Sequence, residues 1–183
     1  MNKLALLITV GALAACNKGA QVDLKNASAN DVSQAVKQSG VMDSGTMIEP
    51  GLWQSKVTVL DMNIPGIPPE YAAKMKQTIA ERRNDSNSHC VTAEDVKKPK
   101  EDFFGADKSC RYEHFTMGAG KIDIAMVCKQ EGMTQTTNMT GTYTPTSYSM
   151  DMASSGTAGE QSGMSMKMHV DSKRVGECSA KES

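Results

Sequence analysis

Aromatic side chains are scarce: 183 residues contain 1 tryptophan, 4 tyrosines and 3 phenylalanines. Any core must therefore be filled largely by other side chains. Histidine is equally sparse, at 3, and no H-E-x-x-H, G-x-S-x-G, phosphate-loop or dinucleotide fingerprint occurs. Nothing in the chain indicates an enzyme. An excess of either charge is also lacking, with 20 basic against 21 acidic residues and no basic stripe, which excludes nucleic acid as a partner. The cysteines never form C-x-x-C, and only His89-Cys90 sets a cysteine beside a histidine, so zinc is not expected.

What is present begins at the amino terminus. Met1-Asn2-Lys3 is a short basic start, and Leu4 to Ala15 is an uncharged apolar run. The run is too short to span a bilayer and has the form of a signal-peptide core. It ends in Leu13-Ala14-Ala15-Cys16, small residues leading to a cysteine. The expectation is a signal peptide over 1–15, cleavage before Cys16, and lipid on that cysteine. Several acyl chains would make the anchor permanent. Asn17, in place of an aspartate, tilts the location towards the outer membrane. The expected product is a periplasm-facing lipoprotein of the cell envelope, whose fixed partner is the membrane.

Residues 16–47 are rich in Asn, Ser, Gln, Ala, Gly and Lys and lack aromatics. They read as the lipidated cysteine and a flexible tether. Residues 48–178 read as one β-rich domain and 179–183 as a disordered tail. From Trp53 the chain alternates, with Val57 and Val59 on the tryptophan's face. Asn63 to Pro69 breaks regular structure. Glu70 to Arg83 is the one good helix, with Tyr71, Met75, Thr78, Ile79 and Arg82 at helical spacing. Thr92 and Asp95 form a capping box for one further helical turn, and Phe103-Phe104 reads as a core plug. From Ser109 short strands follow one another, with Ser154 to Gly163 as a Gly/Ser-rich turn. The fold class expected is mainly β: an antiparallel meander curling into a barrel-like or strongly curved sheet, with the helix at about 70–83 packed against it.

Several stretches resemble one family. Pro50-Gly51-Leu52-Trp53, Cys90-Val91-Thr92-Ala93-Glu94-Asp95, Gly120-Lys121-Ile122-Asp123, Thr140-Gly141-Thr142-Tyr143, Ser147-Tyr148 and Arg174-Val175-Gly176-Glu177-Cys178 are similar, in this order, to the bacterial envelope family DUF3617. The resemblance runs from about Glu49 to Cys178. It implies a secreted or lipid-anchored, periplasm-facing protein and brings no activity and no site residues.

With Cys16 lipidated, Cys90, Cys110, Cys128 and Cys178 remain, an even number for two disulfides. A three-residue hairpin loop at Gly118-Ala119-Gly120, with Gly120 left-handed, sets Met117 opposite Lys121, Phe115 opposite Asp123 and Cys110 opposite Cys128. The same register puts Tyr112 by Met126 and His114 by Ile124 on the cysteine face. Directly opposed positions lie within disulfide reach, so Cys110–Cys128 is expected and Cys90–Cys178 follows.

For chemistry, His89, His114 and His169 read as structural or surface residues, and no feature of the sequence brings Ser, His and Asp together. Methionine is the unusual element, at 14. Met150, Met152, Met164, Met166 and Met168 alternate. If their strands pair across the Ser154–Gly163 turn, Met152 neighbours Met164 and Met150 neighbours Met166. Such a stripe fits a methionine-filled core, a Cu(I) site built from thioethers, or a plastic cavity for an apolar ligand or a partner's apolar segment. The leading expectation is a non-catalytic binding module without a cofactor, whose partner is an apolar ligand or another envelope protein. Cu(I) binding is second and a hydrolase third.

Cys16→Ser is expected to release the protein from the membrane fraction or leave it as an uncleaved precursor. Fractionation and the mass of the mature chain check this; a variant processed and sedimented like the parent defeats the lipoprotein reading.

Overall fold

The computed structural model describes residues 20–41, 47–85, 88–97, 108–158 and 161–179. The signal peptide, Cys16, Phe103-Phe104 and the last residues of the tail lie outside them. The elements run β1 (Gln21–Ser28), α1 (Ala29–Ser39), β2 (Gly51–Asn63), α2 (Pro69–Asp85), β3 (Ser88–Val91), α3 (Ala93–Lys97), β4 (Cys110–Gly118), β5 (Lys121–Gln130), β6 (Met133–Thr144), β7 (Ser147–Ala158) and β8 (Gln161–Gly176).

All the strands join one antiparallel sheet in the order β1-β4-β5-β6-β7-β8-β2-β3. The meander expected after Ser109 is its centre. The sheet does not close into a barrel: β1 and β3 are its two edges. The four-residue β3 pairs only with Gly51 to Gln54 of β2. Further along, the neighbour of β2 is α2, whose Lys76 Nζ donates to the Leu60 carbonyl at 2.8 Å. The expected helix is therefore there and packs on the sheet. Of its expected apolar positions Ile79 joins the packing, while Tyr71 and Met75 face solvent.

The tether reading is corrected over residues 21–41. This segment forms β1 and α1, and Val22, Ala27, Val32, Val36 and Val41 are buried. Its apolar residues are small and few, so they resemble a spacer in composition. Their spacing nevertheless puts each on the face of a strand or helix that meets the core. Ser28 and Asp31 form a reciprocal capping box that starts α1, with Ser28 N donating to Asp31 at 2.9 Å. These hydrogen bonds from Ser28 hold the Asp31 carboxyl below its usual range. β1 pairs with β4 along its length, from Gln21 opposite Gly118 to Ser28 opposite Arg111.

The β4–β5 hairpin reaches the expected cysteine alignment by a different path. Its loop has two residues, Ala119 and Gly120, both left-handed at φ 50° and 73°, as the tight turn matched to strand twist demands. Gly118 therefore faces Lys121, Met117 faces Ile122 and Phe115 faces Ile124, one place off the expected register. A bulge at Glu113 absorbs the extra residue. Beyond it Tyr112 faces Met126 and Cys110 faces Cys128, and the disulfide forms. The bulge also reverses which residues point inward. Tyr112, Phe115 and Met117 are all buried, and their T-shaped aromatic pair, Tyr112–Phe115, sits 5.5 Å apart. His114 turns outward instead of joining Ile124 and bonds Asp123 at 2.8 Å.

Directly opposed residues share a face of a sheet. One apolar row crosses seven strands: Leu24, Phe115, Ile124, Met139, Met152, Met168 and Val59 are successive partners. On the other face the successive partners Thr116, Asp123, Thr140, Asp151, His169 and Thr58 are polar. The sheet thus has one inner and one outer side.

Val36→Asp is expected to destabilise the protein by roughly 2 kcal/mol or more, the cost of an unpaired charge in the core. Chemical denaturation measures it. An unchanged midpoint would return residues 21–41 to the status of a spacer.

Candidate functional site

The two longer helices cover the ends of the inner face. α1 supplies Val32 and Val36 to the cluster around Phe115 and Met117, and α2 supplies Ile79 to the cluster around Val57, Val59 and Met168. Between them the cover consists of Met47-Ile48 and α3, and the edge strand β3 borders the space. It leaves a cavity of about 510 Å³, within the ordinary range for a small-molecule site.

The sheet contributes Ile122, Met139, Met150, Met152 and Val170 to the cavity, and Trp53, Tyr143 and Tyr148 line one end. Trp53 stacks on Tyr148, their ring centroids 5.8 Å apart. Its indole N–H donates to the Glu49 carbonyl at 3.0 Å, so the ring presents only its apolar face to the space. Tyr143 is buried, which pushes its hydroxyl above the usual tyrosine range. Of the acidic and basic side chains among the described residues, only His89 and Asp95 reach the lining. The Asp95 carboxylate is already engaged: it accepts from Thr92 N at 2.9 Å and Thr92 Oγ1 at 2.7 Å, the expected capping box of α3.

The cover is fastened at its edges. Cys90 and Cys178 form the second expected disulfide, Cα atoms 5.5 Å apart, tying β3 to the chain beyond β8. Arg174 Nε donates to the Pro50 carbonyl at 2.7 Å, and its terminal nitrogen pairs with Glu177. Gly51, at φ 147°, makes room for this: a β-carbon there would meet Arg174 Nε at 2.5 Å. The Pro50–Trp53 and Arg174–Cys178 stretches are thus two halves of one fastening.

The methionines fall differently from the expected pairing. The Gly/Ser-rich stretch continues β7 to Ala158 and begins β8 at Gln161, so it is not a turn between Ser154 and Gly163. Small residues read as a turn signal, but here they pair through ladder hydrogen bonds, as in Ser155 opposite Ser165. In consequence Met152 faces Met168, Met150 faces Val170 and Met166 faces Ser154, while Met164 is exposed. Of the five candidates only Met152 and Met168 are opposed, and Met139 extends that pair to a row of three. Met150 and Met152 also line the cavity. Sequence reading missed Met139, Tyr143 and Tyr148 there; their place follows only from strand register across β6 and β7.

A second constellation lies on the outer face. His169 Nδ1 bonds Asp151 at 2.7 Å, while its Nε2 lies 3.2 Å from Asp171 and 3.4 Å from Ser149 Oγ. Ser149 donates to Asp171, which lowers that carboxyl's pKa. The Asp151 hydrogen bond, aided by the charges of Asp171 and Asp151, raises that of His169. The sequence had not brought Ser, His and Asp together. The geometry does not make a nucleophile, because the face of the imidazole that a serine would use is shared with a second carboxylate and the serine proton is given to that carboxylate. None of these residues lines the cavity. Among the described residues no group of three or more His, Cys, Asp and Glu side chains could hold a metal ion.

A protein-family model described as "Protein of unknown function (DUF3617)" matches residues 48–178. No curated protein and no solved structure matches the chain. β1 and α1 lie outside the matched span.

The His169 shift has a defined sign. Its folded pKa is raised, so its stabilising contribution is complete below the unfolded histidine value and is lost as pH rises through the folded one. NMR titration of the imidazole is expected to give a pKa above the ordinary histidine value in the parent and a lower one in Asp151→Asn. Equal values in both proteins refute the assignment of Asp151 as the main cause.

Proposed function

We propose, for a chain that belongs to the DUF3617 family, a non-catalytic binding role: it is a lipoprotein of the cell envelope, periplasm-facing and attached through Cys16, most simply to the outer membrane, and it holds an apolar ligand in the cavity on its inner sheet face. The curved, barrel-like sheet of this reading would cup the ligand without closing around it. The observation that carries the proposal is the cavity itself, about 510 Å³ and lined by thioether, aliphatic and aromatic groups with, among the described residues, one histidine and one carboxylate. Methionine supports it further, because an unbranched, polarisable side chain can repack around ligands of differing shape.

A second reading, Cu(I) binding, is favoured by the direct opposition of Met139, Met152 and Met168 across β6, β7 and β8. Three thioethers suit a soft ion. The two readings separate experimentally, since an apolar ligand needs the space beside these residues and a metal ion needs only their sulfurs. A hydrolase remains the third and weakest.

Trp53 is the sole tryptophan and lines the cavity, so its emission reports occupancy. Titration with an environment-sensitive apolar dye such as anilinonaphthalene sulfonate is expected to saturate and to change Trp53 emission. Val170→Phe, which fills the space, is expected to weaken binding by about tenfold or more, equivalent to about 1.4 kcal/mol, while leaving Cu(I) uptake against a competing chelator unchanged. Dye binding unaffected by Val170→Phe rules out the cavity as the site.

A further inference from the structure

We infer that the ligand is one acyl chain of a phospholipid drawn from the membrane to which the protein is anchored. This rests on the binding role proposed above and on the anchor at Cys16.

Sheet register fixes where the anchor sits relative to the cavity. β1 starts at Gln21, opposite Gly118 at the β4–β5 turn. The same end of the sheet carries the β6–β7 turn between Thr144 and Ser147 and the start of β2 at Gly51. Trp53, Tyr143 and Tyr148 line the cavity at this end, and the Cys90–Cys178 disulfide lies there too. Residues 17–20 are all that separate Cys16 from β1. Fully extended, that connection reaches at most about 18 Å, roughly 3.5 Å per residue. The flexible tether expected from sequence would have let the domain stand away from the bilayer and tumble. With residues 21–41 folded into the domain, the cavity-bearing end stays next to the lipid headgroups.

The lining chemistry selects the ligand class. Met47, Met139, Met150 and Met152, with Ile48 and Val170, give flexible apolar walls. Among the described residues no lysine or arginine lines the space, and the carboxylate of Asp95 is engaged by Thr92. A charged headgroup would have no partner inside, whereas a hydrocarbon chain needs none. The lipid therefore enters chain first and leaves its headgroup at the interface. Burying methylenes in place of water is favourable, but the chain leaves a bilayer that is equally apolar. The exchange is then close to balanced, which suits reversible loading.

The test uses the full lipidated protein in vesicles of phosphatidylethanolamine and phosphatidylglycerol whose acyl chains are brominated, with Trp53 emission as the readout. Bromine quenches tryptophan only at contact. Loss of most Trp53 emission relative to unbrominated vesicles, and recovery of that emission in Val170→Phe with near-ultraviolet circular dichroism retained, is the expected result. Quenching that persists in Val170→Phe would mean that the ring meets the bilayer surface and not a chain in the cavity, and overturns the inference. Absence of quenching in a protein that still binds anilinonaphthalene sulfonate also overturns it, through an occupied or inaccessible cavity at the membrane, and leaves the apolar-ligand role standing. Absence of both signals removes the inference together with that role.

Discussion

The fold is governed by a shortage of cover. Seven spacings between eight strands, at about 4.8 Å each, make an inner face about 34 Å wide. Two helices about 10 Å across shield about 20 Å of it. Among the described residues no long element lies on the remaining strip, which is about the width of another helix. Met47-Ile48 and α3 bridge it with short pieces, and short pieces do not fill a volume as a helix would. The cavity is the space that this mismatch leaves. Its persistence depends on the cover being held at its edges, which is the work of Arg174 on Pro50 and of Cys90–Cys178.

Much of the sheet was legible in the sequence because alternation of apolar and polar residues is a local signal. The meander, the helix after Pro69, the capping box at Thr92 and the β-rich class all follow from residues close together in the chain. Register was less legible, since a one-residue change reverses a whole face. The β4–β5 hairpin illustrates this: the loop is one residue shorter than expected and Glu113 bulges, so two departures cancel at the cysteines yet not at His114 and Phe115. Composition misled in two places. Ala, Asn, Ser and Val over residues 21–41 looked like a spacer because each burial is small, and the Ser/Gly run in β7 and β8 looked like a turn because those residues tolerate one. Both are settled by long-range partners, which no local window contains. The cavity was legible only as a possibility attached to methionine, because its walls come from separate stretches scattered between Met47 and Val170.

Methionine answers the opening question of what fills a core with few rings. Among the described residues the buried aromatics sit where shape must be fixed. Phe115 and Tyr112 anchor the side under α1, and Trp53 with Tyr148 lines the fastened end. Between these rigid groups Met139, Met152 and Met168 run across the middle of the sheet. A side chain with several rotatable bonds accepts an irregular neighbourhood at little steric cost. The distribution divides the interior into a firm perimeter and a soft centre, and the empty volume is in the soft part.

The two disulfides are nested: Cys110 and Cys128, 18 residues apart, lie within the 88-residue interval between Cys90 and Cys178. A chain delivered amino end first into an oxidising compartment exposes Cys90 and then Cys110 long before Cys178 exists. Oxidation in order of appearance would couple Cys90 to Cys110 and strand Cys128 with Cys178, pinning the cover to the wrong strand. The native pattern is reached in one of two ways. The β4–β5 hairpin forms quickly enough to bring Cys128 to Cys110, or a thiolate attacks the early bond and exchanges it. By the second route maturation would depend on the isomerising capacity of the surroundings, and an environment that only oxidises would trap a chain whose hairpin forms too slowly.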